Sequence, residues 1–430
     1  MLTYPQARLC HIVLLGLLTG ILYFTLSPTP ATAAALVTPP AFDCTAVTTI
    51  PSVECEALVT IYNTMGGEGW YKILRPDPIY PHNSWLIVAN PCEWYGVGCA
   101  AGHVQHLFFD LEGMTGSFPP ESQNLPQLHT LFLHNEDVLP QGAYLPALTE
   151  LDLFGADAIP ATIGNLPALQ EIHAPLSYLD VIDPAIGQLT NLQRLTLGIA
   201  DLPSIPPEFG ALAALQELTL TRTSGVATPI TLPTTFGNLG NLSKLKINGL
   251  VATLPDTFGN LGNLGLLDLS GNSLRTLPES FGNLQNLRWL ILRSNQLNTL
   301  PTGIGNLSNL IFLDLSYNNL TALPAAIDNL TGLERLQLDN NQLRSVPAAI
   351  GNLSTLNTLE LNANQLTFLP PEIGKLTKLT VLKLARNQLV ELPAEIGNLT
   401  ALLDIQLYAN QLTGLPDTIE QLDAIPTLEL

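Results

Sequence analysis

The sequence predicts an α/β solenoid, with a parallel β-sheet on one face and short helical or 3-10 segments on the other. Three observations support this fold class. A 23-residue unit repeats through much of the 430-residue chain. Each unit opens with apolar and polar residues in alternation, which is the period of a strand. A Leu-Pro-x-x-Ile-Gly-Asn-Leu stretch follows in many units, and Pro suits the start of a helical turn as Gly suits its end.

Composition narrows the functional class. Apolar residues make up 46% of the chain and charged residues 12%, which argues against disorder. The chain has 36 acidic and 16 basic residues, for a net charge of -20. Binding to nucleic acid or to anionic lipid depends on clustered Lys and Arg, so neither partner is expected.

Residues 1–33 are predicted to be a secretory signal peptide. Arg8 gives the positive start, residues 12–26 form an apolar run of only 15 residues, and small residues follow at 31–34. A membrane span needs about 20 apolar residues, so cleavage is favoured over a retained anchor. Residues 34–43 are then a flexible lead, and no membrane span is expected after cleavage.

The cysteines agree with export. Apart from Cys10 in the predicted signal, all lie before residue 100, at Cys44, Cys55, Cys92 and Cys99. An even number in one short segment predicts two disulfides. Three pairings are possible, and the short loops favour Cys44–Cys55 with Cys92–Cys99. A four-thiolate zinc site is the alternative, although the segment has no C-x-x-C pair.

The repeats are predicted to fill residues 104–430, as fourteen units and a partial fifteenth at 425–430. From Leu264 to Leu402 every unit starts 23 residues after the last, whereas the earlier intervals vary between 20 and 27. Counting the first residue of a unit as position 1, apolar residues recur at positions 1, 4, 6, 11, 14, 18 and 21. One unit cannot bury this set alone, so the units are expected to stack into a curved array.

Position 9 is Asn in the last seven full units. A buried Asn can satisfy backbone groups of its own turn and of the neighbouring turn, so these residues are predicted to form a hydrogen-bonded structural ladder. The set is Asn272, Asn295, Asn318, Asn341, Asn364, Asn387 and Asn410.

These units resemble the leucine-rich repeat family over about three quarters of the chain. The segment before the repeats resembles the amino-terminal cap of plant-type extracellular members, such as receptor-like kinase ectodomains and polygalacturonase-inhibiting proteins. The resemblance lies in residues 54–58, in Trp70 and in the segment Asn-Pro-Cys-Glu-Trp-Tyr-Gly-Val-Gly-Cys at 90–99. The resemblance implies a horseshoe with the sheet on its concave face, a cap over the first repeat at 44–103, and a role in recognition. Trp70, Trp94 and Tyr95 are expected to cover Val104 and Leu107.

The sequence departs from receptors of this family after the repeats. No kinase or transmembrane segment follows them, so a single-chain signalling receptor is not expected. The chain also stops within a strand pattern without a terminal cap. An open edge strand can pair with another chain, and self-association through it is therefore a possible outcome.

The ligand is expected on the outward positions of the concave sheet, which are 3, 5, 7 and 8. Near the middle of the array these positions hold apolar residues with a basic residue at each side, a combination typical of interaction surfaces. Cross-strand packing that merely stiffens the sheet is the competing interpretation. The predicted ligand-binding residues are Leu266, Trp289, Ile291, Arg293, Phe312, Asp314 and Arg335.

Metal binding and catalysis have weaker support. His106, His134 and His173 share the predicted face near Phe108, Phe132 and Phe154, but they come from units one, two and four, so no metal site is predicted. Asp268, Asp314 and Glu360 stand two units apart at position 5, but no catalytic motif accompanies them. No catalytic residue and no cofactor are predicted.

The sequence therefore predicts a secreted or surface-exposed, non-enzymatic recognition protein that binds a protein or a glycan on its concave face. An inhibitor of a secreted hydrolase is one alternative. A structural or adhesive component of the cell surface is another.

Overall fold

The structure, a computed structural model, describes residues 42–72, 84–109, 111–112, 116, 118–134, 145–224, 228–422 and 427–429. The predicted signal peptide and residues 34–41 of the predicted lead lie outside the described residues. From Phe42 onward the chain belongs to one unit.

One sheet of sixteen strands runs through this unit in chain order. Its first two strands are antiparallel, and each later pair is parallel. The parallel α/β solenoid predicted from the repeat is thus confirmed. The strands are Val97–Ala100, His103–Phe109, Thr130–His134, Glu150–Phe154, Glu171–Leu179, Arg194–Ile199, Glu217–Arg222, Lys244–Asn248, Leu266–Asp268, Trp289–Ile291, Phe312–Asp314, Arg335–Gln337, Thr358–Glu360, Val381–Lys383, Asp404–Gln406 and Thr427–Glu429.

Short 3-10 helices return the chain on the opposite side of the units, apart from unit two, whose return segment lies outside the described residues. Within the repeats they are Pro120–Asn124, Ala161–Asn165, Pro184–Gln188, Pro207–Ala211, Thr234–Asn238, Asp256–Asn260, Glu279–Asn283, Thr302–Asn306, Ala325–Asn329, Ala348–Asn352, Pro371–Lys375, Ala394–Asn398 and Asp417–Leu422. Neighbouring segments approach closely, and a Cβ on Gly351 would lie 2.5 Å from the carbonyl oxygen of Glu372. Glycine is therefore required there by the close approach of two backbones.

The core is a column of stacked apolar side chains between the sheet and the 3-10 helices. Leu290 of the strand, Leu292 directly after it and Ile304 of the return segment are fully buried, and equivalent residues repeat this pattern from unit to unit. Four phenylalanines add a stack on the convex side, with neighbouring ring centroids 6.2–6.3 Å apart. They are Phe209, Phe236, Phe258 and Phe281.

The position-9 asparagines bridge consecutive turns. Asn318 is buried, its Oδ1 accepts a hydrogen bond from the Leu297 amide at 3.0 Å, and its Nδ2 donates to the carbonyls of Leu292 and Leu315 at 3.0 Å. Each of the seven asparagines accepts from a backbone amide of the preceding unit and donates to carbonyls of both units. The residue before each Asn has a left-handed backbone, with φ between 53° and 69°. This turn ends the strand and aims the amide inward.

The first repeat is covered by the segment predicted to be the cap. Its α-helix, Ser52–Thr64, buries Cys55, Leu58 and Ile61, and disulfides join Cys44 to Cys55 and Cys92 to Cys99. This is the pairing that the short loops favour, and with all four sulfurs paired the structure leaves no thiolate for zinc. The segment also contains the 3-10 helices Cys44–Ala46, Gly67–Gly69 and Pro91–Glu93.

Three tryptophans close the end of the core. Trp70, Trp85 and Trp94 are buried, and the rings of Trp70 and Trp85 lie 5.6 and 5.8 Å from the ring of Phe109. Tyr95, expected beside Trp70 and Trp94, is only partly buried. Trp85 was not anticipated, although it is as large and apolar as the other two.

A buried carboxylate ties the cap helix to the sheet. Glu54, which is 1% exposed, accepts from His103 Nδ1 at 2.6 Å and from the Val104 amide at 2.8 Å. The sequence places Glu54 in the cap pattern, but it does not predict that this carboxylate accepts the hydrogen bond of the Val104 amide, at the start of the repeats.

Candidate functional site

The register of the sheet sets four predicted ligand-binding residues side by side. Leu266, Trp289, Phe312 and Arg335 are direct neighbours on consecutive strands. Trp289 is 45% exposed, and its ring centroid lies 5.3 Å from that of Phe312. Leu266 and Phe312 are each half-buried. Ile291, at position 5 of the same strand as Trp289, is also half-buried. We call the surface formed by Leu266, Trp289, Ile291 and Phe312 the aromatic patch.

Arg293 lies at the border of the aromatic patch and is held in place. Its guanidinium carbon is 4.3 Å from the ring centroid of Tyr317, and its Nη1 donates to Ser316 Oγ at 3.1 Å. Tyr317 is 47% exposed and has a left-handed backbone at position 8. An arginine over an exposed aromatic ring gains roughly 0.5–1 kcal/mol. Neither Tyr317 nor Ser316 was among the predicted residues, although an aromatic residue at an outward position was the available signal.

Asp314 corrects the prediction. It was expected to project outward as a ligand-binding residue, but only 6% of it is exposed. Its Oδ1 accepts from the Ser316 amide at 2.9 Å and from Ser316 Oγ at 2.5 Å. The carboxylate folds back onto its own turn, as Asp commonly does two residues ahead. It supports Ser316, and through it Arg293, without facing a ligand.

The carboxyl groups of Asp339 and Glu360 lie next to each other in the units that follow Tyr317. Asp339 accepts from the Asn362 amide at 2.7 Å, and Glu360 lies 3.1 Å from Lys383. Burial, followed by the hydrogen bond and negative charge of Glu360, raises the pKa of Asp339 to about 7. Burial opposes ionisation of Glu360 as well, but hydrogen bonds with Asp339 and Lys383 lower its pKa overall. The pair thus holds one proton below about pH 7.

The other candidate clusters are not assembled into sites. His106 is paired across the sheet with Thr130, at position 3 of the units, whereas His173 is paired with Asp152, at position 5. The two histidines are therefore not aligned across the sheet. The side chain of His134 lies outside the described residues. Burial raises the pKa of Asp152, which borders a hollow of about 270 Å³ together with His173 and two glutamates.

The three predicted position-5 carboxylates each have their own partners. Asp268 lies 3.7 Å from Lys246, Asp314 binds Ser316, and Glu360 lies beside Lys383. Strand register leaves one strand between each consecutive two of them. They therefore act within the sheet and do not face one another as an acid–base pair.

A second asparagine row was missed because the pattern was read mainly on apolar positions. It lies in the loops that lead into the strands, on the residue before position 1. Asn309 Nδ2 donates to the carbonyl of Gln285 at 2.8 Å. Equivalent bonds are made by Asn191, Asn241, Asn263 and Asn286.

Comparison with known proteins decides the family. The family model described as leucine-rich repeat region matches residues 278–364 and 349–430, and the model described as leucine rich repeat matches residues 241–297. A solved leucine-rich repeat protein of Leptospira interrogans is 32% identical, with a TM-score of 0.54, and the match covers 73% of this chain and 86% of that one. The chain is a leucine-rich repeat protein.

Two further solved structures place this leucine-rich repeat protein more broadly. The crystal structure of PEPR1–AtPEP1 is 26% identical with a TM-score of 0.65, and the match covers 88% of this chain but only 52% of that one. An internalin from Listeria monocytogenes, at 22% identity and a TM-score of 0.58, shares the fold over 74% of this chain and 89% of its own. No curated protein matches the sequence. Within the described part of the leucine-rich repeat protein, no helix has the length and apolar character to cross a membrane.

Proposed function

We propose that this leucine-rich repeat protein is an exported, non-enzymatic recognition protein that binds a protein partner on the concave face, with the aromatic patch at the centre of the interface. The observation that supports the proposal is the exposure of Trp289 beside Phe312. Exposed apolar clusters with a polar border mark interaction surfaces, and Trp and Arg are the residue types that most often dominate binding energy.

Export is supported by the two disulfides, because such bonds persist in oxidising compartments. The similar crystal structure of PEPR1–AtPEP1 is named for two components together, PEPR1 and AtPEP1. This similarity supports a protein as the partner. The predicted signal peptide fits the same location.

The proposal is tested by capture from the fluid or surface that surrounds the native cells, using the full chain and Trp289→Ala. Phe368→Ala is the matched control, because Phe368 is 52% exposed but lies outside the strands. The parent and the control are expected to retain the same protein, and Trp289→Ala is expected to lose it at an unchanged unfolding midpoint. Retention by all three, or an equal fall in binding and stability, would show that Trp289 only stiffens the sheet.

The inhibitor and adhesive alternatives differ in the partner and in the assembly. An inhibitor would capture a hydrolase and reduce its turnover. An adhesive component that associates through the terminal strand Thr427–Glu429 would grow in size with concentration. Light scattering of the purified protein separates this outcome from recognition by a monomer.

A further inference from the structure

Cations at positions 3 and 5 of the described strands are, with one exception, matched by a carboxylate on the adjoining strand. Five Lys and Arg residues occupy positions 3 and 5 of the described strands. Four of them have such a partner: Arg194 with Glu171 at 2.8 Å, Lys244 with Glu217 at 2.7 Å, Lys246 with Asp268 at 3.7 Å, and Lys383 with Glu360 at 3.1 Å. In a protein of net charge -20, pairing of this kind is the expected arrangement.

Arg335 is the exception. Its neighbours across the sheet are Phe312 on one side and Thr358 on the other, neither of which is acidic. The carboxylates at position 5 of the same two strands are already engaged, Asp314 by Ser316 and Glu360 by Lys383. Arg335 is exposed, and its guanidinium makes no hydrogen bond or ion pair with any residue that the structure describes.

The two arginines beside the aromatic patch therefore differ. Arg293 stacks on Tyr317 and donates to Ser316, so part of its binding capacity is already used. Arg335 follows directly after Phe312 in the register and keeps its whole guanidinium available. A guanidinium can bind a carboxylate through two parallel hydrogen bonds, which gives direction as well as affinity.

We propose that the protein partner presents an acidic segment, in which an apolar side chain covers Trp289 and Phe312 while a neighbouring Asp or Glu carboxylate binds Arg335. The inference rests on the proposed function and adds the chemistry of the partner. An acidic segment is repelled by most of this acidic surface, so Arg335, whose guanidinium is unengaged beside the apolar patch, fixes where such a segment binds.

The test uses a displayed library of random linear peptides, selected on the full chain, followed by affinity measurements on synthetic copies. Selected peptides are expected to contain Asp or Glu close to an apolar residue. Arg335→Gln is expected to weaken their binding roughly tenfold and to flatten its salt dependence. Lys244→Gln is the matched control, because Lys244 occupies position 3 but is already paired, and it is expected to change affinity by less than about twofold.

The outcomes separate the two proposals. Peptides that depend on Trp289 but are neutral, or bind Arg335→Gln as well as the parent, would overturn the acidic partner and leave the concave interface standing. Selected peptides whose binding is unaffected by Trp289→Ala would overturn the proposed function itself. Unfolding curves of each variant check that Arg335→Gln and Lys244→Gln keep the parent fold.

Discussion

Units four to six and units eight to fourteen of this leucine-rich repeat protein end their strands differently. In the earlier group the strands have six to nine residues, as in Glu171–Leu179 and Glu217–Arg222. In the later group each has three, as in Trp289–Ile291. The later group has a left-handed residue at position 8 and Asn at position 9 in every unit.

The difference has a local cause. Leu176, Ile199 and Arg222 stand at position 8 of units four to six, and none of them has a positive φ. Without the turn and the amide, the strand continues. The amino-terminal part also has two separate two-stranded sheets, one of Ala158–Ile159 with Val181–Ile182 and one of Tyr71–Lys72 with Leu111–Glu112.

The two groups also differ in how they use arginine. In the later units the early turn brings position 8 to the border of the sheet, where Tyr317 can support Arg293. In the earlier units Arg222 is used internally, since its guanidinium donates to the carbonyls of Ala200, Gly249 and Thr228. The later group, units eight to fourteen, which we call the regular half, therefore has Arg293 available at the surface. The earlier group, units four to six, which we call the irregular half, uses Arg222 to fasten a loop.

The largest expected effect is on the asparagine ladder. Asn318→Ala removes the partner of the buried Leu297 amide and of two carbonyls, and unsatisfied buried groups of this kind cost about 2–4 kcal/mol in total. Chemical unfolding should show this loss, and hydrogen exchange should show faster exchange at the Leu297 amide.

Asn309→Ala is the control for this change. Asn309 is exposed and makes one side-chain hydrogen bond, so its loss is expected to cost less than about 1 kcal/mol. Equal losses for Asn318→Ala and Asn309→Ala would contradict the ladder as the feature that stabilises the regular half.

A smaller effect is expected in the irregular half, where hydroxyl groups link the extended strands. Thr223 Oγ1 donates to the Ser177 carbonyl at 2.7 Å. Thr223→Val should cost about 1 kcal/mol in unfolding free energy. Thr196→Val, at an outward position without a side-chain hydrogen bond among the described residues, should change it by less than about 0.5 kcal/mol. If both variants behave alike, the hydroxyl links do not compensate for the missing ladder.

The smallest effect concerns pH and the Asp339–Glu360 pair of the regular half. Because the folded-state pKa of Asp339 is raised to about 7, the folded protein keeps a proton that the unfolded chain releases near pH 4. This contribution to stability is complete below about pH 4 and is lost as the pH rises towards 7. The lowered pKa of Glu360 acts in the opposite direction and makes the net change small.

Asp339→Asn should therefore be more stable than the parent at pH 8, with a difference that shrinks towards pH 4. Thermal unfolding at several pH values measures this. A difference that stays constant across the range would mean that the two carboxyl groups do not share a proton.

Sequence reasoning was most accurate where the repeat is most regular. The buried leucines, the asparagine positions and the neighbours of Trp289 follow from the 23-residue spacing, because equal spacing places equivalent residues on adjacent strands. It failed at Asp314, because strand alternation places this residue outward while the turn beyond it offers hydrogen-bond donors that draw the carboxylate back.

The sequence by itself determined the solenoid, the order of its strands and the rows in which their side chains stand, since apolar periodicity allows only one way to bury so many leucines. Only the tertiary structure decided which polar groups remain available. Whether a carboxylate such as Asp314 is consumed by its own turn, or a guanidinium such as Arg335 is left unpaired, depends on distances of a few ångströms between turns, and the spacing of residues does not record them.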